Sequence, residues 1–132
     1  MMEDNSIKEL TRAEEQVMQI LWKLKKGFVK DILEKMQEPK PAYTTVSTIV
    51  RILQDKGFVS HKEYGRTHQY FPLITKDEYS KAHMGAFIRD YFSNSYQKMM
   101  SFFAREESFS LKEMEEIINL MKKEIENKKS EK

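Results

Sequence analysis

The residues of this sequence whose types and order suggest a function lie in one stretch, Tyr43 to Phe71. Its first half carries short hydroxyls and a single guanidinium, at Thr44, Thr45, Ser47, Thr48 and Arg51. No carboxylate follows them before Asp55, whereas a solvated helix face usually mixes Glu with Lys. Small donors and a planar guanidinium can approach phosphate oxygens and the edges of bases, so this pattern favours a nucleic-acid contact. The second half adds basic and imidazole groups at Lys62, Arg66 and His68.

A helix must position the hydroxyls and the guanidinium. Apolar residues recur with the i, i+3, i+4, i+7 spacing of one buried helix face, at Val46, Ile49, Val50 and Leu53. At about 100° per residue, Thr44, Thr48 and Arg51 point to the opposite side, and Thr45 and Ser47 flank them. Gly57 is typical of the position just past a helix end. The spacing therefore predicts a helix over 44–56 with a polar outer face.

A two-stranded hairpin is predicted after this helix. Phe58 and Val59 open the first strand, the turn is Tyr64–Thr67, and the return strand ends at Pro72, which cannot continue an interior ladder. A helix with an acid-free outer face before a basic hairpin is typical of the winged variant of helix-turn-helix. In that arrangement the helix enters the major groove and the wing lies beside it.

The residues before Tyr43 supply the rest of such a domain. Thr11 and Glu14 form the pattern of a capping box, which predicts a helix to about Lys25. A second helix is predicted over Val29–Gln37, and residues 1–10 are expected to be a frayed arm from which Ile7 and Leu10 pack against the domain. We therefore predict a winged-helix domain over 1–74. The alternative is a generic three-helix domain with an incidental hairpin.

The second region, 75–132, is predicted to be helical. Capping-box patterns at Thr75 and Ser110 begin a helix that reaches Ala104 and a last helix whose tail, from Asn127 to Lys132, is expected to be disordered. Two such helices have no core layer of their own, so their apolar faces require a partner, and a second copy is the commonest one. Packing back onto the winged domain is the alternative. The residues expected at the dimer contact are Phe87, Ile88, Tyr91, Phe92, Tyr96, Met99, Met114, Ile118 and Met121.

Composition limits the function classes. The chain has 132 residues and a net charge of only +2, but the segment from Pro39 to Pro72 holds five basic residues against two acidic ones. Cysteine is absent, which excludes disulfides, thiolate nucleophiles and thiolate metal sites. The sequence has no apolar run of about 18 residues, and its acidic start, MMEDNSIKEL, lacks an apolar h-region, so we expect neither a membrane span nor a signal peptide. We expect a soluble cytoplasmic protein.

Catalytic and cofactor-binding patterns were not found in the sequence. The four glycines are too scattered to cradle a phosphate, and there is no His-Glu-x-x-His pattern. His61 and His68 could face one another across the hairpin, but His83 lies outside it, and two imidazoles alone make a poor metal site. We therefore predict no enzyme activity, no metal and no cofactor.

The sequence also resembles the penicillinase-repressor (BlaI/MecI-type) family of transcriptional regulators, from Leu10 to about Ile125. The stretches that carry the resemblance are LTRAEEQVMQILW (Leu10–Trp22), AYTTVSTIVRILQDKGFV (Ala42–Val59), GRTHQYFP (Gly65–Pro72) and FFAREESFSLKEMEEI (Phe102–Ile117). The resemblance implies a dimeric repressor with an N-terminal winged helix and a C-terminal helical dimerisation region. It implies a palindromic DNA operator of resistance genes or of its own operon, and a membrane-bound metalloprotease sensor as partner.

Carried onto this chain, the resemblance implies base contacts from Thr44, Thr45, Ser47, Thr48 and Arg51, and wing contacts near Lys62, Arg66 and His68. Three departures stand out. Penicillinase repressors often have a basic residue where this chain has Ser47, and many relatives have one where it has Ile52. The scissile bond of the resistance repressors joins Asn to Phe, whereas the matching bond here is Phe102–Phe103. The cysteine motif of a copper-responsive branch is absent.

The prediction is thus a mainly α-helical, homodimeric transcriptional repressor with a small β-hairpin wing. A winged-helix adaptor that contacts other proteins without binding DNA is the rival from another class. Salt dependence distinguishes the two, because a DNA reader releases counterions and loses affinity steeply as salt rises.

Overall fold

The computed structural model describes residues 7–106 and 109–131. The elements in these ranges are α1 (Arg12–Leu24), α2 (Val29–Glu34), α3 (Tyr43–Asp55), β1 (Val59–Tyr64), β2 (Thr67–Pro72), α4 (Lys76–Phe92), α5 (Tyr96–Arg105) and α6 (Leu111–Ser130). The chain divides into two compact units between Met84 and Gly85. The fold is mainly α-helical with an antiparallel hairpin after three helices, as predicted.

The capping box predicted at the start of α1 is confirmed. The backbone N–H of Glu14 donates to the Thr11 hydroxyl, and the Glu14 carboxylate accepts from the Thr11 N–H at 3.0 Å. The two bonds satisfy N–H groups that a helix start leaves without partners. α1 then buries Val17, Met18 and Leu21.

α2 is shorter than predicted, because it ends at Glu34 rather than at Gln37. The Lys40 ammonium donates to the backbone carbonyls of Leu33, Glu34 and Met36, at 3.3, 3.0 and 2.7 Å. A cation at this end also interacts favourably with the helix dipole. The early end of α2 is thus stabilised by a side chain from the following loop.

The predicted helix and hairpin after that loop are confirmed. α3 buries Val46, Val50 and Leu53, and Gly57 follows it with a φ of 87°, a conformation that favours glycine. β1 pairs with β2 in a register that joins Val59 to Pro72 and Tyr64 to Thr67. The loop has only two residues, and Gly65 takes its first position with a φ of 63°.

An additional backbone pairing extends the hairpin. Gly27 pairs with Tyr70 in an isolated antiparallel bridge, through N–H to carbonyl bonds of 2.9 and 2.8 Å. The bridge ties the turn between α1 and α2 to β2. A one-residue pairing has no hydrophobic periodicity, so the sequence did not predict it.

The residues that the structure describes in the first unit form one apolar core. Its buried members are Leu10, Val17, Met18, Leu21, Val29, Ile32, Val46, Val50, Leu53, Phe58, Val59, Tyr70 and Tyr79. Ile7 packs against this core, and the Leu10 N–H donates to the Tyr79 hydroxyl at 3.0 Å, so both predicted contacts of the arm are confirmed. Residues 1–6 of the predicted arm lie outside the described residues.

The predicted helix from Thr75 to Ala104 is two helices. Its capping box at Thr75 is confirmed, but α4 ends at Phe92, and Ser93 and Asn94 take left-handed φ values of 52° and 63°. The Ser95 hydroxyl then caps α5 by accepting from the Lys98 N–H. The signal was present in the sequence as Ser-Asn-Ser, a composition typical of turns.

The capping box of the last helix, between Ser110 and Glu113, is confirmed. The prediction of a disordered tail is wrong for Asn127–Ser130, because α6 continues through Ser130, and Lys132 lies outside the described residues. Glu and Lys spaced along its surface favour continued helix over disorder. Among the helices of the described residues, none is both long enough and apolar enough to cross a lipid bilayer.

Candidate nucleic-acid interface

The outer face of α3 carries the predicted reading residues. Thr44, Thr45, Thr48 and Arg51 are exposed, and Ser47 is half-buried. The Thr48 hydroxyl donates to the Thr44 carbonyl at 3.0 Å, and its oxygen accepts from the Arg51 guanidinium at 3.4 Å. These contacts orient Arg51 along the exposed face of the helix. Among the described residues no side chain caps the start of α3, and the first turn of this helix has no acidic residue.

A groove of about 470 Å³ separates α3 from the wing. α3 contributes Tyr43, Ser47 and Arg51, and the hairpin contributes Arg66, Thr67, His68 and Tyr70. The third wall is formed by Phe28, Val29 and Lys30. Arg51 and Arg66, predicted separately for the helix and the wing, therefore line one concave surface. Burial raises the pKa of Tyr70, while the nearby Arg51 charge opposes that shift, so the phenol is neutral near pH 7.

Lys30 and Phe28 were not predicted as part of this surface. Phe28 precedes α2, and Lys30 is the second residue of that helix. The Gly27–Tyr70 bridge brings this segment to the wing. Lys30 adds a third cation to the groove. A single basic residue in a short helix has no pattern that would have identified it.

The wing residues do not all lie together. Successive residues of a strand alternate between its faces, so Lys62 lies on the face opposite to His61 and Glu63. The Lys62 ammonium lies 5.4 Å from the centre of the Tyr64 ring, whereas His68 faces the groove. Lys62 is thus separated from the other two predicted wing residues, Arg66 and His68.

Two of the five basic residues between Pro39 and Pro72 make hydrogen bonds or ion pairs within the fold. Lys40 caps α2, and the Lys56 ammonium contacts the Glu14 carboxylate at 2.7 Å. Burial alone would raise the pKa of Glu14, but the bonds from Lys56 and Thr11 outweigh it and lower that pKa. Arg51, Lys62 and Arg66 remain as cations of the helix face and the wing.

The structure brings His61 and His68 together on the wing. Their rings stack with centroids 4.1 Å apart and planes within 5° of parallel. The Glu63 carboxylate lies 3.9 Å from Nε2 of each imidazole. Glu63 was not singled out from the sequence, although it follows His61 by two residues and pairs with His68 across the ladder.

The residues predicted for dimerisation fall into two groups. Ile88 and Met99 are buried within the chain, at 1% and 8% exposure, and Phe87, Phe92 and Met114 are half-buried. Four others are widely exposed: Tyr91, Tyr96, Ile118 and Met121. Phe102 and Phe103, which flank the bond matched to the family's cleavage site, lie inside α5 and contact Phe92.

Comparison with known proteins identifies the family. The penicillinase repressor family model matches residues 10–123 of the chain. The chain belongs to this family. A winged-helix DNA-binding domain is part of that assignment, and the repressor is not an enzyme. The family also decides against the adaptor hypothesis, because its members are DNA-binding transcriptional repressors.

The relatives align along almost their whole length. The methicillin resistance regulatory protein MecI of Staphylococcus aureus strain N315 is 28% identical over 121 residues, which are 91% of this chain and 98% of MecI. The penicillinase repressor of Bacillus licheniformis is 23% identical over 126 residues, 95% of this chain and 98% of that protein. Among solved structures, the DNA-binding domain of the repressor BlaI matches with a TM-score of 0.49 and 26% identity, covering 55% of this chain and 90% of that one.

Proposed function

We propose that the repressor acts as a homodimer that reads two half-sites of a palindromic operator. In each copy, α3 enters the major groove, and the wing contacts the flanking phosphate backbone. Two copies related by a two-fold axis would meet half-sites about one helical turn apart, or a multiple of it. The site of action is the cytoplasm, and the operator is expected in the DNA upstream of the repressor's own gene.

The observation that carries this proposal is the groove between α3 and the wing. Lys30, Arg51 and Arg66 line it without a carboxylate among the lining residues. Positive charge concentrated in a concave surface attracts a polyanion more strongly than the net charge of +2 suggests. The uncapped start of α3 adds backbone N–H groups, which favour a phosphate oxygen.

The residues that would read bases are those on the exposed face of α3. Arg51 is the strongest candidate, because a guanidinium can donate two hydrogen bonds to guanine O6 and N7. The shorter side chains of Thr44, Thr45, Ser47 and Thr48 suit close contact with phosphates or thymine methyl groups. Lys62, Arg66 and His68 are proposed to contact the backbone, with Lys62 approaching from the other face of the wing.

Fluorescence anisotropy tests the proposal. The full chain is titrated onto its own upstream DNA and onto a scrambled duplex over a salt series. We expect preferential binding that saturates at two chains per site, with an affinity that falls steeply as salt rises on both duplexes. Equal, weak binding to both duplexes would contradict operator recognition in that DNA.

Arg51→Ala tests the placement of the reading helix. It should cost about 1–3 kcal/mol of operator binding, while affinity for the scrambled duplex changes much less. Arg89→Ala is the matched control, because Arg89 is an exposed arginine of α4 that pairs with Asp90. Wild-type operator affinity in Arg51→Ala would show that another element reads the bases.

Release of the operator is proposed to occur without cutting the Phe102–Phe103 bond. A protease binds its substrate in an extended form, and both residues lie within α5, where their rings contact each other and Phe92. If a membrane-bound metalloprotease sensor acts on the repressor, cleavage should therefore require local unfolding of α5. Mass spectrometry of the repressor from induced cells tests this proposal. Two fragments that end and begin at Phe102 and Phe103 would contradict it.

A further inference from the structure

The imidazoles of His61 and His68 and the carboxylate of Glu63 form a compact cluster on one face of the wing. One nitrogen from each histidine and one oxygen from Glu63 all lie within 4.8 Å of one another. We propose that this cluster is a binding site for a divalent transition-metal ion of the zinc type. Two neutral imidazoles, one carboxylate and a water molecule are a donor set that zinc accepts in four-coordinate sites.

The hairpin register brings the three donors together. Glu63 lies opposite His68 in the ladder, and His61 precedes Glu63 by two residues on the same strand, so all three side chains leave the same face. A one-residue shift of either strand would move its ligands to the opposite face. The two-residue loop at Gly65 fixes the register that the site needs.

A residue of α3 orients the first ligand. Nδ1 of His61 lies 2.7 Å from Oε1 of Gln54. An amide oxygen only accepts, so Nδ1 is the donor in this contact, and in the neutral imidazole Nε2 then presents its lone pair. Nε2 is the atom that lies 3.9 Å from the Glu63 carboxylate. Hydrogen bonding of the outer imidazole nitrogen is the usual way in which a protein fixes a metal-binding histidine.

Only small movements are needed to close the site. Zinc bonds of about 2.0–2.1 Å in a tetrahedral arrangement hold neighbouring donors roughly 3.3 Å apart. The two nitrogen-to-oxygen distances are each 3.9 Å. His68 and Glu63 have side-chain exposures of 38% and 71%, so both can turn toward the more enclosed His61, whose exposure is 22%. Turning His68 also separates its ring from the stacked ring of His61, so that one nitrogen of each ring can point at the same ion.

A metal ion at this position would affect DNA binding, a consequence that rests on the proposed function. His68 lines the groove with Arg51 and Arg66, and Gln54 belongs to α3. The ion would add positive charge beside the phosphate contacts and would join β1, β2 and, through Gln54, the reading helix. Metal binding is therefore expected to raise operator affinity.

Titration calorimetry of the full chain with zinc chloride, without DNA, tests the site itself. We expect one ion per chain, and a Kd that rises at least about tenfold in His68→Gln and in Glu63→Gln. His83→Gln is the matched control, because His83 lies on α4, outside the cluster. Equal zinc affinity in all four proteins, or no binding by the wild type, would overturn the proposal. Thermal unfolding without zinc establishes that each variant is folded.

Operator titrations with zinc or with EDTA separate the two proposals. The wild type should bind its operator roughly tenfold more tightly with zinc, and His68→Gln should lose this difference. Zinc binding without any change in operator affinity would overturn the regulatory link and leave the calorimetric result to decide the site. Failure to prefer the operator both with zinc and with EDTA would contradict the proposed function, not the metal site.

Discussion

At the scale of single residues, the role of a charge depends on its neighbours in space. Five basic residues lie between Pro39 and Pro72, yet Lys40 and Lys56 make their contacts within the fold. The contact of Lys56 with Glu14 spans 42 positions, so no local pattern could reveal it. The exposed face of α3 was predictable, because helical periodicity alone separates Arg51 and Thr48 from Val50.

Glu14 allows a test at this scale. Glu14→Gln should lower the free energy of unfolding by about 1–3 kcal/mol near pH 7, because a buried, charge-assisted bond to Lys56 is lost. Urea unfolding followed by Trp22 fluorescence measures it. Glu9→Gln is the control, because Glu9 is exposed. A Glu14→Gln variant as stable as the wild type would show that the pair contributes nothing.

The pH dependence of the same pair follows from its pKa. The folded pKa of Glu14 is lowered, so its stabilisation is fully present above the ordinary carboxyl range near about pH 4.3. It is lost as the pH falls through the lowered folded value. Unfolding curves between about pH 7 and pH 3 should therefore converge for the wild type and Glu14→Gln. A difference that grows in acid would contradict this assignment.

At the scale of elements, signals within a few residues of each other predicted structure well. The capping boxes at Thr11, Thr75 and Ser110 each marked a true helix start, and the alternation after Gly57 marked the hairpin. Two features were missed because they depend on tertiary contacts or on a turn. The Gly27–Tyr70 bridge joins distant segments, and the many apolar residues between Tyr79 and Phe103 concealed the break between α4 and α5.

The break between α4 and α5 can be tested at Asn94, whose φ is 63°. Asn94→Ala should destabilise the protein by about 1–2 kcal/mol, because a Cβ without a compensating polar group disfavours left-handed backbone. Asn94→Gly is the matched variant and should equal or exceed wild-type stability. Thermal unfolding followed by circular dichroism compares them. Higher stability in Asn94→Ala than in Asn94→Gly would mean that α4 and α5 form one continuous helix in solution.

At the scale of the whole molecule, the apolar surface of α6 is the main evidence for a second copy. Leu111, Ile118, Met121 and Ile125 are all at least half exposed, although their spacing of three, four and seven residues places them on one side of the helix. Such a stripe is typical of a helix that packs against a partner. Ile88 is already buried in the single chain, so a charge there would disturb folding rather than test assembly.

Homodimer formation is therefore best tested by substitutions in α6. Ile118→Asp should produce monomers, because it places a charge in the stripe at a residue with 52% exposure, where the chain's own packing is little affected. Leu120→Asp is the matched control: Leu120 is 62% exposed on the same helix but points away from the stripe. Sedimentation equilibrium should give the monomer mass for the first variant and the dimer mass for the second.

Because two half-sites must be held together, Ile118→Asp should also lose most operator affinity. Its affinity for a scrambled duplex should stay within a few-fold of the wild-type value. A dimeric Ile118→Asp would place the contact elsewhere in the second unit, and a monomer with full operator affinity would mean that one copy suffices to read the DNA.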